Sequence, residues 1–319
     1  MKAYRRTRYG SPDVLELREI PDPEPMEGQV LVRPRAWSVN AHDWHMIRGK
    51  PYLARLGEGF RRPKDPRVGV DFAGIVEAVG PGVDHLRVGD RAFGNRFGAH
   101  AELVAAAQVV GLPDVASFEQ GAALPAAGLT ALQGLRDKCE LQAGQRVLVI
   151  GAGGGVGTMA VQIAKALGAG VTAVTRTAHL DLVRSIGADA VVDYTREDVG
   201  RLPGGFDAIL DIGGTHRLAT LGRLVARGGT VALVAPQPGQ WVGPVARVGG
   251  AILRTKLGRV RFRAYLADVN RADLNVLANM AAAGTLRPVI DRTYPFAEIP
   301  AAIRHLEEGR TAGKVVITR

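Results

Sequence analysis

The seven residues from Gly151 to Gly157 (GAGGGVG) are the part of this chain best suited to holding a phosphate. An apolar run, Arg146–Ile150 (RVLVI), precedes them, and Thr158–Gly168 (TMAVQIAKALG) follows with apolar residues at helical spacing. Strand, glycine turn and amphipathic helix in that order present backbone N–H groups and the positive end of a helix dipole to a pyrophosphate. Glycine is needed wherever a side chain would hold the phosphate away. Two registers of the dinucleotide motif are open. One begins at Gly151 and meets valine at its last position, residue 156. The other reads Ala152, Gly154, Gly157, an A-x-G-x-x-G variant, and is preferred; it makes Gly154, Gly155, Val156 and Gly157 the candidate cradle.

The end of the next strand decides which dinucleotide. An NAD site places an acid there to accept from the ribose 2′-hydroxyl. Here Val171–Thr175 runs into Arg176 and Thr177, and the nearest acid, Asp181, lies further on. Thr175 and Arg176 suit a dianionic 2′-phosphate, so the expected cofactor is NADPH (NADP+).

These residues need a scaffold, and the pattern around them supplies one. Strand-like runs at 146–150, 171–175, 190–193, 206–211 and 230–235 alternate with helix-like stretches such as 158–167 and 179–186. The alternation predicts a parallel sheet with helices on both faces. Residues 1–113 differ: Pro- and Gly-rich turns separate short β-type runs, at 30–32, 74–79 and 102–104, which predicts a compact, mostly β domain. After Pro288 a short strand, a helix over 298–308 and a last strand over 314–318 are expected.

Composition narrows the classes. With 319 residues, 46% of them hydrophobic, the chain is long enough for two domains with sizeable cores. Cys139 is the only cysteine, which excludes an intramolecular disulfide framework and any multi-cysteine zinc cage. It reads as a helix-end packing residue. No apolar run reaches the length of a membrane span and the N-terminal residues lack a secretory core, so a cytoplasmic protein is expected. The net charge is +10, but 34 of the 41 basic residues are arginine. Without a basic tail or a recognition motif, arginine usage explains this better than nucleic-acid binding.

Several stretches in order and at family spacing resemble the medium-chain dehydrogenase/reductase superfamily, in its zinc-independent quinone-oxidoreductase-like branch. They are 39–43 (VNAHD), 69–74 (GVDFAG), 88–94 (VGDRAFG), 98–102 (GAHAE), 120–131 (QGAALPAAGLTA), the 154–157 turn and 313–316 (GKVV). The resemblance implies an α/β protein: a GroES-like, mostly-β catalytic domain over 1–118, completed by 284–319, and a doubly wound Rossmann domain over 119–283. It also implies an active site in the cleft between them and a homodimer. Zinc-using relatives place Cys where this chain has Asn40, and His-Glu where it has Val70-Asp71, so no metal is expected.

Carried over by position, the resemblance makes Asn40 a hydrogen-bond donor to the substrate oxygen, with Asp43 ordering its loop and His45 and Tyr52 as candidates for proton donor. Thr130 is expected at the nicotinamide ribose or ring, Tyr194 at the adenosine phosphate, and Gly213 and Ala235 along the ribose and carboxamide. His179 stands where some relatives carry a phosphate-binding lysine. Lys314 reaches the cofactor cleft or is a solvated strand residue. Residues 236–266 interleave apolar and basic side chains, and read as an amphipathic helix covering the cleft. A sharper alternative is a lid in which Trp241 and Leu257 shape the pocket. The implied activity is transfer of hydride to a quinone, enone or related α,β-unsaturated carbonyl. The alternatives are a ketone or aldehyde reductase, and a catalytically silent NADPH-binding protein.

Overall fold

The computed structural model of the protein describes residues 1–234, 243–258 and 260–319. Contacts divide the chain into two compact units: Met1–Leu129 together with Val269–Arg319, and the contiguous Thr130–Asp268. The helices Phe118–Ala123 and Arg271–Ala282 therefore lie with the first unit.

The first unit is built on a seven-stranded sheet. Ile290–Pro295, Lys314–Thr318, Val30–Val39, Asp71–Val79, Arg91–Asn95 and Val109–Gly111 are neighbours in that order, and Val104–Ala106 also pairs with Val30–Val39. Val30–Val39 is the central strand, yet it contains Pro34, which cannot donate to a ladder. The register shifts between Pro34 and Ala36, and Gly74 lies opposite. A Cβ on Gly74 would stand 2.1 Å from the Arg33 carbonyl oxygen, so only glycine allows the two backbones to approach there. Trp37, Phe72, Ile47, Ile303 and Ile317 fill the core against this sheet.

The second unit carries the expected parallel sheet. Its spatial order is Ala190–Asp193, Gly170–Thr175, Arg146–Ile150, Phe206–Asp211, Val225–Leu233, Arg261–Ala264. Numbered along the chain this is 3-2-1-4-5-6, the Rossmann order, with its switch point between Arg146–Ile150 and Phe206–Asp211. Val147, Leu148 and Val149 have no exposed surface, as a strand covered on both faces requires.

Three expectations are corrected here. The helix after the glycine turn, Gly155–Ala166, is not amphipathic: residues 157–164 are all buried. It therefore packs on both sides, and its polar members Thr158 and Gln162 satisfy themselves along the helix through Gly155 O and Thr158 O. The fifth strand starts earlier than expected, at Val225, and ends at Leu233. The stretch 236–266 is not one covering helix. Gly243–Leu257 is helical, but Arg261–Ala264 is a sixth strand, in register with Thr230–Leu233. Arginine at alternate positions had hidden it: Phe262 points inward and is buried, while Arg261 forms a hydrogen bond with Thr230 and Arg263 with Glu140. Trp241 lies outside the described residues, as does the side chain of Leu257. No helix of the described residues is long and apolar enough to cross a membrane.

Cys139 caps a π-helical turn, Gly134–Lys138, as a buried packing residue. Burial pushes its thiol up to about 12. A thiol-specific reagent at neutral pH should find no reactive group in the folded protein and one equivalent after denaturation. Rapid labelling of the native protein would contradict this environment.

Candidate active site

The glycine turn sits at the carboxyl ends of the parallel strands. Gly151 has a φ of 89°, a conformation that favours glycine. A Cβ on Gly157 would lie 2.2 Å from the Gly151 carbonyl oxygen, so Gly157 is what lets the helix start close against the turn. A Cβ on Gly153 would strike His179 Nδ1 at 2.4 Å and Thr175 Oγ1 at 2.6 Å. Gly154 is different: only Gly151 O lies within 4 Å of its would-be Cβ, at 3.7 Å. Gly154 caps the twelve-residue helix with extended backbone (φ −86°, ψ 179°), and Gly155 and Val156 continue its first turn, partly exposed. Gly154 thus has an open face and Gly157 a packed one, and Ala152 is buried.

Strand ends bring the remaining dinucleotide candidates alongside. Thr175 is buried at the end of its strand, in register with Asp193. Arg176 follows it and donates from Nη2 to the Tyr194 hydroxyl at 3.4 Å, so these two residues form one rim. The acid on that rim is already engaged: Asp193 accepts from Thr177 Oγ1 (2.5 Å), Thr195 Oγ1 (2.6 Å) and Thr195 N (3.0 Å). Those hydroxyl bonds hold its carboxyl below the usual range. His179 is buried under Gly153. Gly213 is exposed beyond the fourth strand and faces Gly151, where a Cβ would come within 3.4 Å of Gly213 N. Thr130 is half-buried on the helix Pro125–Gln133, and its carbonyl accepts from Tyr265 Oη at 2.6 Å. Ala235 lies outside the described residues.

A buried ion pair, not foreseen from the sequence, braces the fourth strand. Asp211 and Arg247 are both buried and bonded to one another; Asp211 also accepts from Gly214 N (3.1 Å) and Arg247 donates to His216 O (2.7 Å). The turn carrying Gly213 is thus tied at both ends.

In the first unit the candidate substrate-side residues stand at the end of the central strand. Asn40 caps the helix Ala41–Arg48, and its backbone N–H donates to Asp43 Oδ2 at 2.7 Å. Asp43 therefore orders this loop, as expected, from a fully buried position that raises its pKa. The Asn40 side chain donates from Nδ2 to Asp71 Oδ2 (2.9 Å) and accepts at Oδ1 from Lys314 Nζ (2.5 Å). Asp71 also accepts from Ser38 Oγ (3.0 Å), Asn95 Nδ2 (2.7 Å) and Ala126 N (3.1 Å). Of the two readings of Lys314, the solvated strand residue is corrected: the side chain is 4% exposed and bonds Asn40. Ser38, Asp71 and Asn95 were missed as well. They lie on three strands whose pairing, Ser38 opposite Asp71 and Asp71 opposite Asn95, is a long-range fact.

His45 and Tyr52 sit beside one another in the chain, the first on this helix and the second just after it. The His45 ring stacks on Trp44 (centroids 3.7 Å apart), its Nδ1 is 3.2 Å from Lys50 O, and burial lowers its pKa. Arg55 lies between two aromatic rings, 4.7 Å from Tyr52 and 4.3 Å from Tyr9, and donates to Gly49 O and Arg48 O. That arginine positions Tyr52. Among the described residues no group of three or more His, Cys, Asp or Glu is placed to hold a metal ion.

Residues 26–180 match the family model of the alcohol dehydrogenase GroES-like domain, and residues 186–317 that of the zinc-binding dehydrogenase. The chain is 35% identical to 2-methylene-furan-3-one reductase of Solanum lycopersicum, over 99% of this chain and 79% of that protein. It is 33% identical to the chloroplastic NADPH-dependent alkenal/one oxidoreductase of Arabidopsis thaliana, with the same coverage. Among solved structures, the Escherichia coli quinone oxidoreductase complexed with NADPH superposes with a TM-score of 0.85 at 26% identity, covering all of both chains.

Removing one member of the Asp211–Arg247 pair leaves an uncompensated buried charge. Arg247→Met should cost about 3–5 kcal/mol of stability in thermal or denaturant unfolding, and adding Asp211→Asn should restore much of it. A single variant as stable as the parent would show that the pair does not brace this turn.

Proposed function

As the chain belongs to the medium-chain dehydrogenase/reductase superfamily, in its quinone-oxidoreductase-like branch, we propose that it is an NADPH-dependent, zinc-independent reductase of quinones, enones or related α,β-unsaturated carbonyl compounds. The observation that carries this reading is Asn40. Its amide is held by buried partners on one side and, among the described residues, keeps one N–H uncommitted at a partly exposed position. The named relatives act on a methylene-furanone, on alkenals or alkenones, and on a quinone. Each such compound has a carbonyl oxygen conjugated to an electron-poor carbon.

Zinc does not fit this donor set. Asn40 and Val70 offer neither thiolate nor imidazole, and the Lys314 ammonium lies 3.6 Å from Asp71 Oδ2. A divalent cation placed there would face a buried positive charge. The glycine turn does fit a dinucleotide. Gly154–Gly157 would hold its pyrophosphate, and Arg176, Tyr194 and Thr175 its 2′-phosphate end. Thr130, His179, Gly213 and Ala235 complete the proposed contacts.

When bound, the nicotinamide supplies a hydride. A conjugated carbonyl compound that takes up hydride at its electron-poor carbon would carry negative charge on its oxygen and would then need a proton. The remaining Asn40 Nδ2–H suits that developing oxyanion, a task in which a fixed donor is worth several kcal/mol. His45 and Tyr52 are the proton-donor candidates, the first oriented by Lys50 O and the second by Arg55.

Thermal shifts test the cofactor: NADPH should raise the melting temperature well above NADH. Arg176→Ala should weaken NADPH roughly 10–100-fold while leaving NADH nearly unchanged. Equal binding of the two by the parent protein would sink the assignment.

A further inference from the structure

Reading the chain as a reductase that uses Asn40 leaves a question about what lies behind that residue. We infer that Lys314 and Asp71 are positioning residues: together they fix the Asn40 side chain in one amide orientation and polarise it, so that its free N–H points outward as a strengthened donor. The inference rests on the functional reading above and names the device that serves it.

Sheet register brings the group together. Val315 pairs with Val39, and Ser38 pairs with Asp71, so Lys314, Asn40 and Asp71 fall at the same end of three adjacent strands. The two ends of a carboxamide are nearly alike in size and differ only in what they bond. Here the oxygen meets an ammonium, which can only donate, and the nitrogen meets a carboxylate, which can only accept. A flipped amide would set N–H against N–H on one side and oxygen against oxygen on the other. Asp71 is further fixed by Ser38, Asn95 and Ala126, and Lys314 by Val39 O at 3.3 Å, so neither partner can turn to accommodate the flip.

Stability alone does not call for this arrangement. A buried ion pair is often no better than two well-packed apolar residues of similar volume. What an apolar pair lacks is any means of telling the amide oxygen from the amide nitrogen. An ammonium on the oxygen also draws electron density from the nitrogen, which makes the remaining N–H a better donor, as hydrogen bonds in series do. Lys314 thus acts on the substrate oxygen through Asn40 without touching it.

Three variants test this in steady-state NADPH oxidation with a quinone or enone, with NADPH affinity and melting temperature measured alongside. Asn40→Ala reports on the functional reading. Lys314→Met should lower kcat about 10–100-fold while NADPH affinity changes less than about twofold. The double variant Lys314→Met/Asp71→Asn removes both buried charges, so its melting temperature should return toward the parent value. Its kcat should stay low: Ala126 N, which can only donate, keeps the oxygen of the introduced carboxamide at the Oδ1 position, so its NH2 meets Asn40 and favours the flipped amide. Recovery of kcat together with stability would overturn the inference and leave the pair a structural one. Low kcat in Asn40→Ala with normal kcat in both Lys314 variants would overturn the inference alone. Normal kcat in Asn40→Ala would overturn the functional reading, and the inference with it.

Discussion

The first unit is organised around one buried carboxylate. Asp71 has no exposed surface and accepts from Ser38, Asn40, Asn95 and the backbone of Ala126. Three neighbouring strands and the start of a helix therefore end on the same two oxygen atoms. A buried charge this well served still needs a counter-charge, and Lys314 brings it from a fourth strand. Burial draws the lysine below its ordinary pKa, while Asp71 and Asp43 oppose that pull. The sheet edge, the helix cap at Asn40 and the loop beyond it all take their positions from this arrangement.

The second unit solves a related problem by different means. Its glycine turn exposes backbone rather than side chains, so close packing beneath must come from glycine. Gly157 abuts Gly151 O, and Gly153 rests on His179 and Thr175. The neighbouring loop at Gly213 has no such packing and is tied instead through Asp211 and Arg247. One unit thus holds a polar side chain steady from behind, and the other leaves the backbone over Gly154 open. Both rely on polar groups whose partners are nearly all within reach, which is the condition for burying them at tolerable cost.

Local features of this design were legible in the sequence. The strand–turn–helix around Gly154, the missing acid after Thr175 and the succession of the first four parallel strands along the chain depend on neighbours, and the pattern of residue types carries them. Asn40, His45 and Tyr52 were candidates through the resemblance of their stretch to the family, not through any pattern of spacing. Long-range pairing was not legible. Nothing near Lys314 in the chain indicates that it faces Asn40 across a sheet, and its charge suggests solvent. The Arg247–Asp211 pair was hidden for the same reason. Arg261–Ala264 was hidden in another way: alternating arginines on an edge strand resemble the polar face of a helix until the neighbouring strand is known.

The carboxylate and its counter-ion are separated along the chain by the whole of the second unit. During synthesis, Asp71 emerges long before Lys314, while Thr130–Asp268 is contiguous and has all its own partners as soon as it is complete. The dinucleotide-type unit can therefore fold first, and the first unit must wait with an acid that has no cation until the last strand arrives. Chain order thus becomes assembly order: the half of the protein that begins earliest is closed last, by an ion pair that spans the second unit's entire sequence.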